Sequence, residues 1–85
     1  MASYSVFIKA SAAKELEGLP QKDLRRVVHK IERPRSAPRP PGCEKLTGEN
    51  RYRIRQGDYR VVYSVDDTSH QVVIVKIGHR RDVYR

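Results

Sequence analysis

Residues 51–63 read Arg51-Tyr52-Arg53-Ile54-Arg55-Gln56-Gly57-Asp58-Tyr59-Arg60-Val61-Val62-Tyr63, an alternating run interrupted by Gly57-Asp58. Successive side chains of a strand point to opposite faces, so this alternation commits both arms to strands. A two-residue loop with glycine first is a favoured hairpin turn, and it fixes the register. Gln56 then faces Tyr59, Arg55 faces Arg60, Ile54 faces Val61 and Arg53 faces Val62. Tyr52 and Ile54 share one face with Tyr59, Val61, Tyr63 and Val65. Arg51, Arg53, Arg55 and Arg60 fall on the other.

The rest of the 85 residues must cover that apolar face within one domain, 1–85. Residues 4–8 alternate as a short strand (Tyr4, Val6 and Ile8 against Ser5 and Phe7). Ser11 is placed to cap a helix on which Ala13, Leu16 and Leu19 recur, stopped by Gly18 and Pro20. Pro20 suits the first turn of a second helix, whose Leu24, Val27, Val28 and Ile31 form one apolar stripe with Arg25, Arg26 and Lys30 outside it. Residues 33–42 hold four prolines and read as an extended connector, a plain crossover or a docking motif. Strands follow over 52–56, 59–65 and 71–77; the last is apolar on both faces and so central. The expected fold is α+β: strand, helix, helix and three strands, a mostly antiparallel sheet with both helices on one face.

Eighteen Lys and Arg against ten Asp and Glu give a net charge of +8, which favours a polyanionic partner, nucleic acid or an acidic protein segment. Cys43 is the single cysteine, so no internal disulfide forms. His29, His70 and His79 lie apart, and neither a metal site nor a cofactor is expected. The longest apolar stretch, 72–75, is far short of a bilayer span, and the start Met1-Ala2-Ser3-Tyr4 lacks signal-peptide features. A cytoplasmic location without membrane contact is the expectation. No glycine-rich phosphate loop, nucleophile elbow or Ser/Cys with a placed base is present, which argues against covalent catalysis.

Arg55 opposite Arg60 destabilises a ladder by about 0.2 to 1 kcal/mol. An anion between them converts that repulsion into paired charge-assisted hydrogen bonds, and a guanidinium fork matches phosphate oxygens. The alternative is a solvated charged face that discourages edge aggregation. Beyond the last strand, His79 carries an imidazole, the side-chain type most used for proton transfer near neutrality, or it ends the strand through backbone hydrogen bonds. Tyr84 can stack on an unstacked base or anchor the C-terminal segment.

Lys45-Leu46-Thr47-Gly48, Tyr52-Arg53-Ile54-Arg55, Gly57-Asp58-Tyr59-Arg60-Val61-Val62-Tyr63 and Gly78-His79-Arg80-Arg81-Asp82-Val83-Tyr84-Arg85 together resemble the RelE/ParE toxin superfamily, particularly its RelE branch. The resemblance spans nearly the whole chain. It implies a RelE-like fold and the toxin of a type II toxin-antitoxin pair: a metal-independent endoribonuclease, an mRNA interferase that cuts messenger RNA in the ribosomal A site and inhibits translation. The RNA's own 2'-hydroxyl would attack the adjacent phosphate, leaving a 2',3'-cyclic phosphate and a 5'-hydroxyl.

Carried onto this chain, the family's basic strand positions fall on Arg53, Arg55 and Arg60, its later arginine on Arg80 and its C-terminal tyrosine on Tyr84. Arg60 and Arg80 would stabilise the phosphate, and Arg51, Arg81 and Lys45 would bind substrate. Well-known members carry lysines where Arg53 and Arg55 stand, and arginine is a poor base. A branch similar to YoeB uses a glutamate before the second strand, which makes Glu44 the candidate base and His79 the candidate acid. The implied partners are a cognate antitoxin, the ribosome and messenger RNA, with operator DNA reached only through the antitoxin. Two rival readings stand beside this one: a ParE-like inhibitor of DNA gyrase that cuts no RNA, and a non-catalytic nucleic-acid-binding module.

Overall fold

The computed structural model describes residues 4–36, 38–39, 43–46 and 51–79. Its elements run β1 (Ser5–Ile8), α1 (Ala10–Glu17), α2 (Gln21–Ser36), β2 (Glu44–Lys45), β3 (Arg51–Gln56), β4 (Tyr59–Asp66) and β5 (Gln71–His79). The five strands form one sheet in the order β1-β5-β4-β3-β2. All neighbours are antiparallel except β1 and β5, which pair in parallel from Ser5 with Gln71 to Ile8 with Ile74. Parallel neighbours need a long crossover, and the two helices belong to it. The expected α+β architecture is therefore present, with β5 inside the sheet.

The β3–β4 hairpin has the register that its turn dictates, including Ile54 with Val61 and Arg55 with Arg60. Gly57 takes φ 59° while Asp58 stays at negative φ, the pattern of a type II′ turn, so glycine is needed at that first position. Tyr52, Ile54, Val61, Tyr63 and Val65 form the buried core with Val72, Ile74 and Ile77 of β5 and Ala12, Val27 and Ile31 of the helices.

Three boundaries differ from the sequence reading. Ser11 lies inside α1 and Lys9 holds the N-cap position without a side-chain cap. The reason is the sheet: the Lys9 N–H still donates to the Ile74 carbonyl at 2.9 Å, so the chain turns into the helix directly from the last β1 pairing. Helix α2 continues through Arg33 and Pro34 to Ser36, where a connector was expected. A proline removes one N–H donor, and Val27 and Ile31 already anchor the helix in the core. Within the α2 stripe, Val28 stays 39% exposed, so the apolar seam is narrower than its sequence spacing. The third difference is β2, two residues paired with Arg53 and Tyr52, too short to show any period.

Strand β5 contains an irregularity that changes how its faces are counted. Val62 pairs with Lys76 and Tyr63 with Ile74, leaving Val75 as an extra, bulged residue. Val72 and Ile74 before the bulge, and Ile77 after it, all reach the core, while Lys76 and Gly78 pair with Val62 and Arg60 on the opposite face. This explains why the strand reads as apolar on both sides. Beyond Ile8 the β5 edge loses its β1 neighbour, and α1 closes it: Glu15 accepts the Ile77 N–H at 3.1 Å and the Lys76 ammonium at 3.0 Å.

Two residues of the connector are strapped to the sheet. Arg39 donates from Nε to the Tyr52 hydroxyl at 2.8 Å and from Nη2 to Asp67 Oδ2 at 2.7 Å, with its guanidinium 5.0 Å from the Tyr52 ring centroid. The Tyr4 hydroxyl donates to the same carboxylate at 2.7 Å, and Tyr63 donates to the Pro38 carbonyl at 2.8 Å. Hydrogen bonds from Arg39, then Tyr4, pull the Asp67 carboxyl down to about 2. Burial pushes the Tyr63 hydroxyl well above its ordinary value.

Candidate active site

Register gathers a cationic face on the side of the sheet away from the helices. Arg51, Arg53 and Arg55 lie on β3 opposite Ser64, Val62 and Arg60 of β4, and Arg60 and Val62 in turn lie opposite Gly78 and Lys76 of β5. Arg60 thus stands between Arg55 on one side and a glycine, with no side chain, on the other. The face is not uniformly open, as parity alone implied: Arg51 and Arg55 are exposed, whereas Arg60 is only 6% exposed and donates from Nη1 to the Tyr59 carbonyl at 3.4 Å. The difference follows from position, since β4 is flanked by strands on both sides. A buried guanidinium remains protonated and costs solvation, so the fold holds a fixed positive charge beside the exposed Arg55.

The short β2 brings Glu44 to this face. Its carboxylate accepts a hydrogen bond from Arg53 Nη2 in a salt bridge between directly opposed residues. A candidate base, a paired arginine and the Arg55–Arg60 couple are therefore contiguous across β2, β3 and β4. The contribution of β2 could have been found from Glu44 and Arg53 only if their register were known, because two residues carry no periodic signal.

Two other candidates lie elsewhere. Lys45 pairs with Tyr52, a core residue, and so belongs to the other side of the β2 edge. His79 pairs with Tyr59, their rings edge to face with centroids 5.9 Å apart. Tyr59 packs against the helix-covered core, so the strand pairing places His79 on the side of Tyr59 rather than in the Arg55–Arg60 couple. Partial burial and then Asp23 of α2 raise the Tyr59 hydroxyl pKa. Arg80, Arg81 and Tyr84 lie outside the described residues. Among the described residues no three His, Cys, Asp or Glu side chains converge as a metal site, and no helix is long and apolar enough to cross a membrane.

The architecture is that of a small toxin fold. The chain shares it with the archaeal RelE of the RelE–RelB complex from Pyrococcus horikoshii (TM-score 0.80, 31% identity, 94% of this chain and 98% of that one). It shares it also with the toxin-antitoxin complex RelBE2 of Mycobacterium tuberculosis (TM-score 0.79, 30% identity, 92% and 99%). In sequence it is 38% identical over 84 residues to Toxin RelE of M. tuberculosis, covering 96% of this chain and 87% of that protein. The family model for the ParE toxin of the type II toxin-antitoxin system, parDE, matches residues 6–84. The chain belongs to this family, as a RelE-like toxin of the RelE/ParE superfamily.

Proposed function

We propose that this toxin is a metal-independent endoribonuclease that cuts messenger RNA in the ribosomal A site and is neutralised by a cognate antitoxin. The observation that carries the reading is the Arg55–Arg60 pair, one guanidinium exposed and the other buried, on a face that also holds Arg51 and Arg53. A phosphate between its members would accept charge-assisted hydrogen bonds from both guanidinium groups. The 2'-oxygen attacks phosphorus as its proton passes to Glu44, a P–O2' bond forms, and the P–O5' bond breaks. Arg60 and Arg55 stabilise the charge that develops on the phosphorane-like transition state. Arg53 orients the Glu44 carboxylate through their salt bridge. His79, turned towards Tyr59, takes no part; the departing 5'-oxygen is stabilised by guanidinium donors and protonated from water. The solved complexes of related RelE toxins with RelB support an antitoxin partner, which the +8 charge suits.

The test is cleavage of a defined messenger RNA on programmed ribosomes, with free RNA and gyrase supercoiling assayed beside it. The expected result is ribosome-dependent cuts ending in 2',3'-cyclic phosphate, reduced about 100-fold or more by Arg55→Ala and by Arg60→Lys. Glu44→Gln should slow single-turnover cleavage similarly; unchanged cleavage would take the base role from Glu44. Intact RNA together with inhibited supercoiling would overturn the proposal in favour of the gyrase reading.

A further inference from the structure

The sheet face that carries the arginines changes character across its width. Ser64 lies opposite Arg51 of β3 and opposite Val73 of β5, and Val73 lies opposite Phe7 of β1, so one row runs Arg51, Ser64, Val73, Phe7. Val6 packs against the core, and alternation therefore turns its neighbour Phe7 to the arginine side. There the ring stays 50% exposed, more than any other large hydrophobic side chain among the described residues, beside the half-buried Val73. An exposed ring forgoes the stabilisation that burial gives the other large apolar side chains of the sheet.

Polar and cationic groups border this floor. In the adjoining row Ser5 pairs with Gln71 and Gln71 with Asp66, all three exposed. Asp66 turns its carboxylate onto the Thr68 and Ser69 N–H groups at 2.9 and 3.2 Å, whereas the Gln71 amide carries both donors and an acceptor. On the other flank Lys9, exposed and still extended, continues the alternation of Phe7 and adds a cation. Phe7 lies two strands across and four residues along from Arg60, about 16 Å away. A few nucleotides of an extended RNA strand cover that distance.

We propose that Phe7 and Val73 form a stacking floor for one unpaired base of the strand that lies on the arginine face, with Gln71 reading its edge. Every base offers a flat π-face to an aromatic ring, and side chains standing up from the neighbouring row meet the edge of a base laid flat on the sheet. The identity of the strand as the messenger RNA to be cut rests on the ribonuclease reading above; the floor itself does not. An apolar segment of a protein partner suits the floor less well. Functional apolar patches run to roughly 300–600 Å², and one half-exposed ring beside one half-buried valine offers a fraction of that. The arginines on the same face complement phosphates.

The test uses the full chain and a short 2'-O-methyl oligoribonucleotide, whose blocked 2'-oxygen cannot attack phosphorus. Affinity is measured by fluorescence anisotropy for wild type, Phe7→Ala, Phe7→Leu and Phe7→Tyr, and circular dichroism checks each fold. Phe7→Ala should weaken binding about 5- to 100-fold and leave the salt slope unchanged, because no phosphate contact is lost. Phe7→Leu should lose nearly as much, and Phe7→Tyr less than about threefold, since the ring is what stacks. Gln71→Ala should narrow the differences in affinity among oligonucleotides of differing base.

Programmed ribosomes fix the register of the message. On them Phe7→Ala should raise KM by a similar factor. A message abasic at one fixed offset from the cut should cost wild type that factor and cost Phe7→Ala nothing more. Oligonucleotide affinity of Phe7→Leu equal to wild type would reduce the ring to apolar cover and overturn the proposal. So would a wild-type dimer in sedimentation that Phe7→Ala dissolves, which would assign the ring to a second copy of the chain. A rise in KM that no abasic message reproduces would assign it to ribosomal RNA, with the same result. Binding through Phe7 by a wild type that cuts no message would sink the proposed function and leave the stacking floor standing.

Discussion

Arg55→Gln should make the protein more stable and disable it. The substitution keeps most of the side-chain stem and removes one of two positive charges at directly opposed positions. Taking the guanidinium groups as roughly 7 Å apart, Coulomb's law gives about 0.6 kcal/mol at the dielectric of water and about 2.4 at an effective value near 20. Arg55 is exposed, which places the repulsion near the lower figure and within the about 0.2 to 1 kcal/mol that cross-strand pairs carry. For a domain of this length, a gain of about 0.6 kcal/mol raises Tm by roughly 2 to 5 °C. Urea unfolding of both proteins at 20 mM and at 1 M salt tests the argument. The gain should be present at low salt and largely vanish at high salt, where the Debye length shrinks to about 3 Å. Messenger RNA cleavage should fall by about 100-fold or more at both. A variant less stable than wild type at low salt, or a gain indifferent to salt, would refute the claim that this pair is held against its own repulsion.

Further outcomes follow from the contacts that hold the connector and the sheet edge. The Asp67 carboxyl lies at about 2 in the folded state, below its ordinary value, so it adds stability above about pH 4 that is lost as pH falls towards 2. Asp67→Asn should flatten the urea midpoint over that interval, and parallel acid profiles would remove Asp67 from the account. Tyr63→Phe leaves the Pro38 carbonyl without its donor and should cost about 1 kcal/mol. Because the folded Tyr63 hydroxyl is held above its ordinary pKa of about 10, wild-type stability should decline as pH rises past 10, and a calorimetric pH series should show the variant declining less. Glu15→Ala, which strips acceptors from Lys76 and the Ile77 N–H, should cost about 1 to 3 kcal/mol. Glu15→Gln should recover part of that loss, because its carbonyl oxygen still serves Ile77; equal losses in both would contradict the edge-capping role.

The arginine face was legible in the sequence because a two-residue turn and a period of two leave no freedom in register. Arg55 opposite Arg60 needed nothing more than Gly57-Asp58 and a count. What the count could not give was depth: Arg60 is buried and Arg55 is not, since exposure depends on neighbouring strands and not on alternation. Glu44 was chosen by resemblance, and its link to Arg53 rests on a two-residue strand below the length at which periodicity has meaning. His79 was chosen for its imidazole chemistry, and its pairing with Tyr59 is set by the register of β5, which the end of a strand does not show in sequence. Helix starts were obscured for a similar reason: the β1–β5 pairing, a contact between residues more than sixty apart, decides that the chain leaves the sheet at Lys9.

The bulge at Val75 has a consequence for how this strand tolerates change in length. One surplus residue lets β5 place Val72, Ile74 and Ile77 under the helices and still put Gly78 beside Arg60. Deleting it would restore strict alternation with every face kept: Lys76 would still pair with Val62, Ile77 with Val61 and Gly78 with Arg60. A second residue inserted beside it and absorbed into a regular ladder would instead move Lys76 to the place of Gly78 and set an ammonium beside the Arg60 guanidinium. Loss of Val75 is thus a change that β5 can absorb, whereas an added residue displaces the glycine from beside Arg60.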